Sequence, residues 1–302
     1  MGVEAINLAL LAAAGASILV GAGIVASRFA VAEVPPLTLA MLRYAVGFAC
    51  LLPFALRHAG EARQAMPVRS RGADLLAMAG LGLVQFAVLI ALLNYALQRI
   101  GAAQAALIFS LFPLLTMLMS AALGRERPTA SLSAGVALSL AGVALTLSPK
   151  LGGVHTGGWW GEAAVAASAL LGAACTVLYR PYLQRYPTVP VSAFAMMISV
   201  LFLAVFAGAE DWTGRIGGFS GAAWAAIVFV GVSSGVGYFW WLYALKHESP
   251  TRVTVFLALN PVTAALLGWL LLGEPLHAAT LAALGLIAAG LWLATRPTRS
   301  MT

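Results

Sequence analysis

Runs of about 20 apolar residues recur along the whole chain, and few folds can accommodate them. Of the 302 residues, 62% are hydrophobic and only 9% are charged, and the mean hydropathy is +0.95. A soluble domain is roughly 45 to 50% apolar and about 25% charged. The runs are continuous, without the alternation typical of a transmembrane barrel. The sequence therefore predicts an all-α integral membrane protein, whose helical backbone satisfies its own hydrogen bonds in the lipid bilayer.

The apolar runs, divided by charged or Gly/Pro-rich breaks, predict ten transmembrane helices. Their approximate ranges are 7–27, 37–56, 74–97, 103–123, 130–148, 160–179, 190–208, 221–245, 252–272 and 278–295.

An internal repeat divides the predicted helices into two sets of five. Tyr95-Ala96-Leu97 recurs as Tyr243-Ala244-Leu245, and Pro113, Glu126 and Gly142 recur as Pro261, Glu274 and Gly290, always 148 residues later. The predicted units are residues 1–149 and 150–302. Because five is an odd number, the second unit must enter the membrane inverted relative to the first. This arrangement predicts a working cavity between the units and favours alternating access over a channel or receptor.

The positive charges indicate an orientation in the membrane. Connections that follow odd-numbered helices carry four cations, whereas the other connections and the C-terminal tail carry twelve of the 17 Lys and Arg residues. The larger group marks the cytoplasmic side, so both termini are expected inside. This bias also explains the net charge of +7 without a nucleic-acid partner. Fifteen of the 17 cations are Arg, which is consistent with a GC-rich bacterium and with its inner membrane.

The repeated pattern over 94–147 and 242–295 is a Tyr-Ala-Leu helix end, a turn, a helix broken by proline, a Glu-containing turn and a helix rich in small residues. In this pattern the chain resembles the drug/metabolite transporter superfamily, in particular its ten-span EamA-type branch. The resemblance implies two five-helix repeats around a central cavity lined by the first, third and fourth helices of each half. It also implies that the fifth and tenth helices stand apart.

Members of this branch include YddG-type exporters of aromatic and other amino acids, and more distantly carriers of sugar phosphates and nucleotide sugars. We expect an exporter of amino acids, aromatic or otherwise neutral; carriers of another metabolite class or of drugs remain alternatives. A non-transporting membrane scaffold is a further alternative, and monomer and homodimer both remain open. The sequence contains no HExxH, GxSxG or phosphate-binding glycine loop, and its two cysteines lie in apolar runs without a Cys/His cluster. We therefore expect neither an enzyme nor a bound metal or cofactor.

All ten acidic residues and all four histidines lie in loops or at helix edges. The related small multidrug transporters use a carboxylate inside the membrane to exchange protons for cations. This chain has no counterpart, so facilitated passage is expected, with a proton-coupled antiporter as the alternative. Glu126 and Glu274 are expected to cap helices or to pair with loops rather than to couple transport.

The candidate substrate-binding residues are polar or aromatic side chains inside the predicted helices. The eighth helix carries one polar face, and further candidates come from the third, sixth and ninth helices; the set is Ser234, Tyr238, Trp241, Gln85, Tyr179, Phe256 and Asn260. For Tyr179 with its stripe of small residues, for Gln85 and for Asn260, helix packing is an equally good interpretation.

Three further residues carry expectations of their own. Pro113 and Pro261 are the candidate hinges, because each removes an amide donor from the interior of a helix. Arg43 is the one cation inside a span. For this side chain, snorkelling or a structural hydrogen bond is favoured over attraction of a substrate carboxylate.

Overall fold

The computed structural model describes residues 3–57, 71–124, 130–151, 158–248, 253–254 and 256–295. Within these ranges the regular structure is helical. The α-helices are α1 (Val3–Ala30), α2 (Pro36–Arg57), α3 (Arg71–Gly82), α4 (Leu89–Leu97), α5 (Ala102–Phe109), α6 (Phe112–Ala122), α7 (Ala130–Leu151), α8 (Trp160–Arg185), α9 (Thr188–Phe206), α10 (Trp212–Arg215), α11 (Gly221–His247), α12 (Leu259–Leu272) and α13 (Ala278–Thr295).

Seven helical segments of the described chain are long and apolar enough to cross a membrane: Leu8–Ala30, Pro36–Arg57, Gly72–Leu97, Ala102–Ala122, Trp160–Arg185, Thr188–Glu210 and Gly221–His247. Three shorter apolar helices cover Ser133–Leu145, Leu259–Leu272 and Ala278–Gly290. The protein is therefore an integral membrane protein. Its ten-span organisation stays a prediction.

The third predicted span contains a π-helical turn that its sequence does not predict. Between α3 and α4, residues Leu83–Val88 form a π-helical turn, wider than an α-helical one. Carbonyls in the turns before it accept side-chain hydrogen bonds from α8 and α9. The Tyr179 hydroxyl donates to Met78 O at 3.2 Å, the Cys175 thiol to Leu81 O at 3.7 Å and the Ser199 hydroxyl to Gly82 O at 2.9 Å. These bonds attach the distorted helix to its neighbours.

The fourth and ninth predicted spans are both interrupted shortly before their prolines. α5 ends at Phe109 and α6 begins at Phe112, with Pro113 in its first turn. In the other half a 3-10 turn at Phe256–Ala258 precedes α12, and Pro261 is the third residue of that helix. The two repeat-related prolines therefore follow breaks at equivalent places, as expected where a backbone donor is missing.

α7 and α13, the fifth and tenth predicted spans, pack mainly against each other, apart from the remaining helices. The repeat-related glycines Gly142 and Gly290 lie in this contact. A Cβ added at Gly142 would lie 2.9 Å from Ile287 Cγ1, and one at Gly290 would lie 2.3 Å from Ser139 Oγ and 2.7 Å from Gly135 O. The two helices approach closely because both positions lack a side chain.

Replacing Gly290 with valine should lower the thermal stability of the protein, because the new side chain would press on Ser139 and on the Gly135 carbonyl. Overpacking of this kind costs about 1 to 3 kcal/mol. The matched control is Gly285→Val on the same helix, where an added Cβ meets nothing within 4 Å. The measurement is thermal unfolding of purified protein in detergent. Equal melting temperatures for the two variants would contradict the assigned contact.

Contacts between helices recur between the two halves. α1 packs along α11 and α12, while its repeat counterpart α8 packs along α4 and α6, the counterparts of those two partners. Equivalent helices also pair with each other, as α2 with α9 and α7 with α13.

Three carboxylates connect the halves at one end of the helices, here called the Glu274 end. Glu274 accepts hydrogen bonds from Ala102 N at 3.0 Å and Ala103 N at 3.3 Å, and Arg28 Nε lies 3.9 Å from its Oε1. Each such carboxylate caps the first turn of a helix from the other half, where backbone donors are unpaired. The predicted capping role of Glu274 is thus confirmed, whereas Glu126 lies outside the described residues.

The other two carboxylates are Glu210 and Glu33. Glu210 accepts from Leu37 N at 3.0 Å and Thr38 N at 2.7 Å at the start of α2. Glu33 accepts from both the amide and the hydroxyl of Ser220, the N-cap of α11.

At the opposite end, the Tyr186 hydroxyl donates to the Asp74 carboxylate, and Arg185 Nη1 lies 4.0 Å from the same oxygen. Burial and this hydrogen bond raise the pKa of Tyr186 above its ordinary value.

Candidate functional site

A cavity of about 90 Å³ lies in the interior, between helices of both halves. Its walls come from α1, α2, the π-helical third span, α11, the residues beside the break before Pro113, and Leu257 in the 3-10 turn before α12. Its polar and aromatic lining consists of Arg43, Tyr44, Gln85, Phe86, Phe109, Phe112, Ser233, Ser234, Tyr238 and Trp241. The cavity therefore lies where two helices are discontinuous, as ligand sites in many transporters do.

Aromatic rings form much of the wall. Phe86 packs edge-to-face between Tyr44 and Tyr238, with centroid distances of 4.7 and 4.4 Å. Phe112 meets Trp241 in a T-shaped contact at 6.1 Å. The Tyr238 hydroxyl is buried and lies near the Tyr179 hydroxyl. Such a surface suits a ligand with a flat or apolar side chain and can also bind an ammonium group over a ring.

One positive charge lies beside this aromatic wall. Arg43 is only 8% exposed, and its Nε donates a hydrogen bond to Ser234 Oγ at 2.5 Å. Ser234 in turn donates to Val230 O of its own helix, also at 2.5 Å. The guanidinium thus points into the protein and does not snorkel to the membrane surface.

Gln85 reaches the cavity from the π-helical turn, and no hydrogen bond joins its amide to the described residues. Phe86, the next residue, is also part of the wall. A π-helical turn is frequent at functional sites, and its extra residue changes the direction of the side chains within the turn. Here it places an amide and an aromatic ring on the same cavity.

The structure brings together four of the seven predicted substrate-binding residues, namely Gln85, Ser234, Tyr238 and Trp241. It places Tyr179, Asn260 and Phe256 outside the cavity lining. Tyr179 is 1% exposed and donates to Met78 O. Asn260 is fully buried. A Cβ added at Gly21 of α1 would lie 2.7 Å from the Asn260 carbonyl oxygen, so a side chain at position 21 does not fit. Phe256 precedes Leu257, the residue of that turn that does reach the cavity.

The lining helices also differ from those implied by the sequence resemblance. The second helix contributes Arg43 and Tyr44, and no described residue of α8, the sixth span, lines the cavity. α8 lies one layer behind: a Cβ added at Gly172 would lie 2.1 Å from Phe112 Cε2 and 2.9 Å from Leu89 Cδ1. The small residues of α8 therefore serve close packing against the cavity wall.

Sequence reasoning missed several wall residues. Tyr44, Phe86 and Phe112 lie in apolar runs, where an aromatic side chain is usually a core residue. The detectable signals were the adjacency of Tyr44 to the intramembrane Arg43 and the adjacency of Phe112 to Pro113.

A second cavity of about 600 Å³ lies at the Glu274 end. It is lined by charged and polar side chains that include Arg28, Arg99, Glu162 and Glu274. On α1, Arg28 follows Ile24 of the central cavity by four residues, so the two cavities are about one helical turn apart. Among the described residues no group of His, Cys, Asp or Glu could hold a metal ion.

Comparison with protein families decides the class of this site. The model of the EamA-like transporter family matches residues 7–148 and again residues 159–296. The chain belongs to the EamA-like transporter family. The double match coincides with the internal repeat, and it makes this EamA-type protein a membrane transporter rather than an enzyme.

Three relatives of this EamA-type transporter illustrate the range of its similarity. It is 30% identical to the uncharacterized inner membrane transporter YedA of Escherichia coli K12, over 89% of this chain and 84% of that one. It is 28% identical to a probable terminal-alkyne amino-acid exporter of Streptantibioticus cattleyicolor, over 68% of each chain. It is 29% identical to the aromatic amino acid exporter YddG of Ancylobacter novellus, over 57% of this chain and 59% of that one.

Proposed function

We propose that this transporter exports neutral amino acids, aromatic ones among them, through the central cavity. The observation that carries the proposal is the cavity itself: an aromatic wall and a single guanidinium lie together at the breaks of two helices. An amino acid has a group suited to each: its apolar side chain suits the aromatic wall, and its carboxylate suits the guanidinium. Two relatives named as amino-acid exporters support the same substrate class.

We propose further that the ten apolar helices span the membrane as two inverted five-helix repeats. The reciprocal contacts between the halves support this arrangement. The helix directions support it as well. The last turn of α1 carries Arg28, which faces Glu274, whereas the first turn of α8 carries Glu162, which accepts from Gln104 Nε2 at 3.2 Å close to the Glu274 cap. Equivalent helices thus run in opposite directions relative to the Glu274 end.

The orientation follows from the cation distribution. Arg28, Arg99 and Arg215 belong to the connections at the Glu274 end, which carry few cations. By the positive-inside rule this end faces outward, and both termini are cytoplasmic. In the inner membrane of a bacterium, the location that the name of the Escherichia coli relative gives for that protein, the outer face is periplasmic.

Transport by this protein is proposed to be facilitated rather than proton-coupled. No carboxylate or imidazole lies among the described residues that line the central cavity. A carrier that exchanges protons with its substrate needs such a group within the membrane. Imposing a pH gradient should therefore leave the amino-acid flux nearly unchanged, and strongly pH-driven flux would favour the proton-coupled alternative.

The test of the proposed substrate class is counterflow of labelled amino acids in liposomes that contain the purified protein. Wild-type protein should exchange labelled phenylalanine, and Trp241→Ala should slow this exchange about tenfold, because a buried aromatic contact of about 1.5 kcal/mol is lost. The matched control is Trp240→Ala, which removes a ring that is 37% exposed and does not line the cavity. Failure of every amino acid to exchange would refute the proposal, as would equal loss in both variants.

A further inference from the structure

Arg43 is a buried cation that has no carboxylate within ion-pair distance in the described part of the chain. The acidic groups whose partners are known interact elsewhere. Glu33, Glu210 and Glu274 cap helices at one end, and Asp74 bonds Tyr186 at the other. The Tyr44 ring centroid lies 5.5 Å from Arg43 Cζ, but a positive charge without a counter-ion at membrane depth is costly, and such residues mark pathways of ions or substrates.

The hydrogen bonding of Arg43 leaves most of its guanidinium available. A guanidinium carries five N–H donors in a planar fork. The Nε donor is taken by Ser234, and no described residue accepts from either terminal nitrogen. Gly23 faces the same group, and a Cβ there would lie 3.7 Å from Nη2, in ordinary contact. The terminal nitrogens therefore lie beside the cavity with their donors unpaired.

Ser234 fixes the direction of this fork. Its hydroxyl accepts from Arg43 Nε and donates to Val230 O, so the contact is anchored to the backbone of α11. A guanidinium held in one orientation can bind a carboxylate through two parallel hydrogen bonds, which a flexible lysine cannot reproduce.

We propose that Arg43 binds the carboxylate of the transported molecule, with Ser234 as a positioning residue. The substrate class is then a small organic acid with a free carboxylate and an apolar or aromatic side chain. The side chain lies against Phe86, Tyr238 and Trp241. This inference rests on the proposed function for its cavity, but it concerns the acid group alone, and an amine on the substrate is not required.

The test compares four related probes by equilibrium binding to detergent-purified protein. Phenylalanine and 3-phenylpropionate carry the carboxylate, whereas phenylalaninamide and 2-phenylethylamine lack it. Wild-type protein should bind the two acids about 10- to 100-fold more tightly than phenylalaninamide and 2-phenylethylamine, because hydrogen bonds to charged groups are worth about 1.5 to 3 kcal/mol. Arg43→Gln should abolish this preference and leave the binding of the amide unchanged. Arg43→Lys should recover only part of it.

Arg57→Gln is the matched control, because Arg57 ends the same helix at an exposed position outside the cavity. It should retain the wild-type preference. Equal affinity of wild-type protein for phenylalanine and its amide would overturn the role of Arg43 while leaving amino-acid export in place. Binding of 3-phenylpropionate but not of phenylalanine would support Arg43 and refute the amino-acid proposal. Uniform loss of all four probes in Arg43→Gln, or no binding of either acid to wild-type protein, would overturn the inference.

Discussion

Gly172→Ala will reduce transport about 10- to 100-fold, although Gly172 does not line the cavity. The new Cβ would lie 2.1 Å from Phe112 Cε2 and 2.9 Å from Leu89 Cδ1, and both side chains belong to the cavity wall. Overpacking costs about 1 to 3 kcal/mol, and it is relieved by moving these side chains into the cavity. A cavity of about 90 Å³ has little room for such a shift.

The measurement is the initial rate of counterflow in liposomes, normalised to the amount of folded protein. Gly80→Ala is the control, because a Cβ there meets nothing within 4 Å. The double variant Gly172→Ala/Phe112→Leu replaces the displaced ring with a smaller side chain, and it should restore part of the rate relative to Gly172→Ala alone. An unchanged rate in Gly172→Ala would show that Phe112 moves elsewhere at no cost to the site.

Neutralising Glu274 will open the transporter toward the Glu274 end. The carboxylate holds two backbone amides of α5 and faces Arg28, so opening this end must break those interactions. Charge-assisted hydrogen bonds contribute about 1.5 to 3 kcal/mol each. Losing the equivalent of one of them shifts the equilibrium between closed and open forms about 10- to 100-fold.

A single cysteine in the cavity reports this opening. Ser233→Cys, in a protein whose Cys50 and Cys175 are replaced by serine, should react with a membrane-impermeant thiol reagent added from outside. Glu274→Gln should raise the labelling rate about 10- to 100-fold. Asp211→Asn, in the exposed connection before α11, should leave the rate unchanged. Equal rates in the two variants would argue that the Glu274 caps do not hold this end closed.

Much of the helix arrangement was accessible from sequence, because proline and glycine act locally. Pro113 lies inside a predicted helix, where a missing backbone donor interrupts the hydrogen bonding, and Gly142 and Gly290 were visible as equivalent positions of the repeat. The polar face of Ser234, Tyr238 and Trp241 was also visible, since the spacing of i, i+4 and i+7 fixes a common side of a regular helix.

The remaining part of the site depends on packing between distant segments. The π-helical turn at Leu83–Val88 has no distinctive composition, and it decides that Gln85 and Phe86 share the cavity. Tyr179 is polar and intramembrane, yet its partner is a carbonyl of α3 that no sequence pattern identifies. For Arg43 the sequence favoured snorkelling or a structural hydrogen bond. The structure contains such a bond, but that bond occupies one donor of five.

The π-helical turn also has a consequence for how relatives of this protein can diverge. Relative to an α-helix, such a turn behaves as the insertion of one residue, and one residue corresponds to about 100° of rotation. Deleting a single residue within 83–88 would restore a regular helix and leave α3 and α4 facing as before, because the wider turn already absorbs the extra residue. Met78, Leu81 and Gly82 would keep their partners on α8 and α9, whereas Gln85 and Phe86, inside the turn, would change direction relative to the cavity. A one-residue gap at this point of an alignment would therefore separate transporters with different cavity linings, even where every flanking residue is the same.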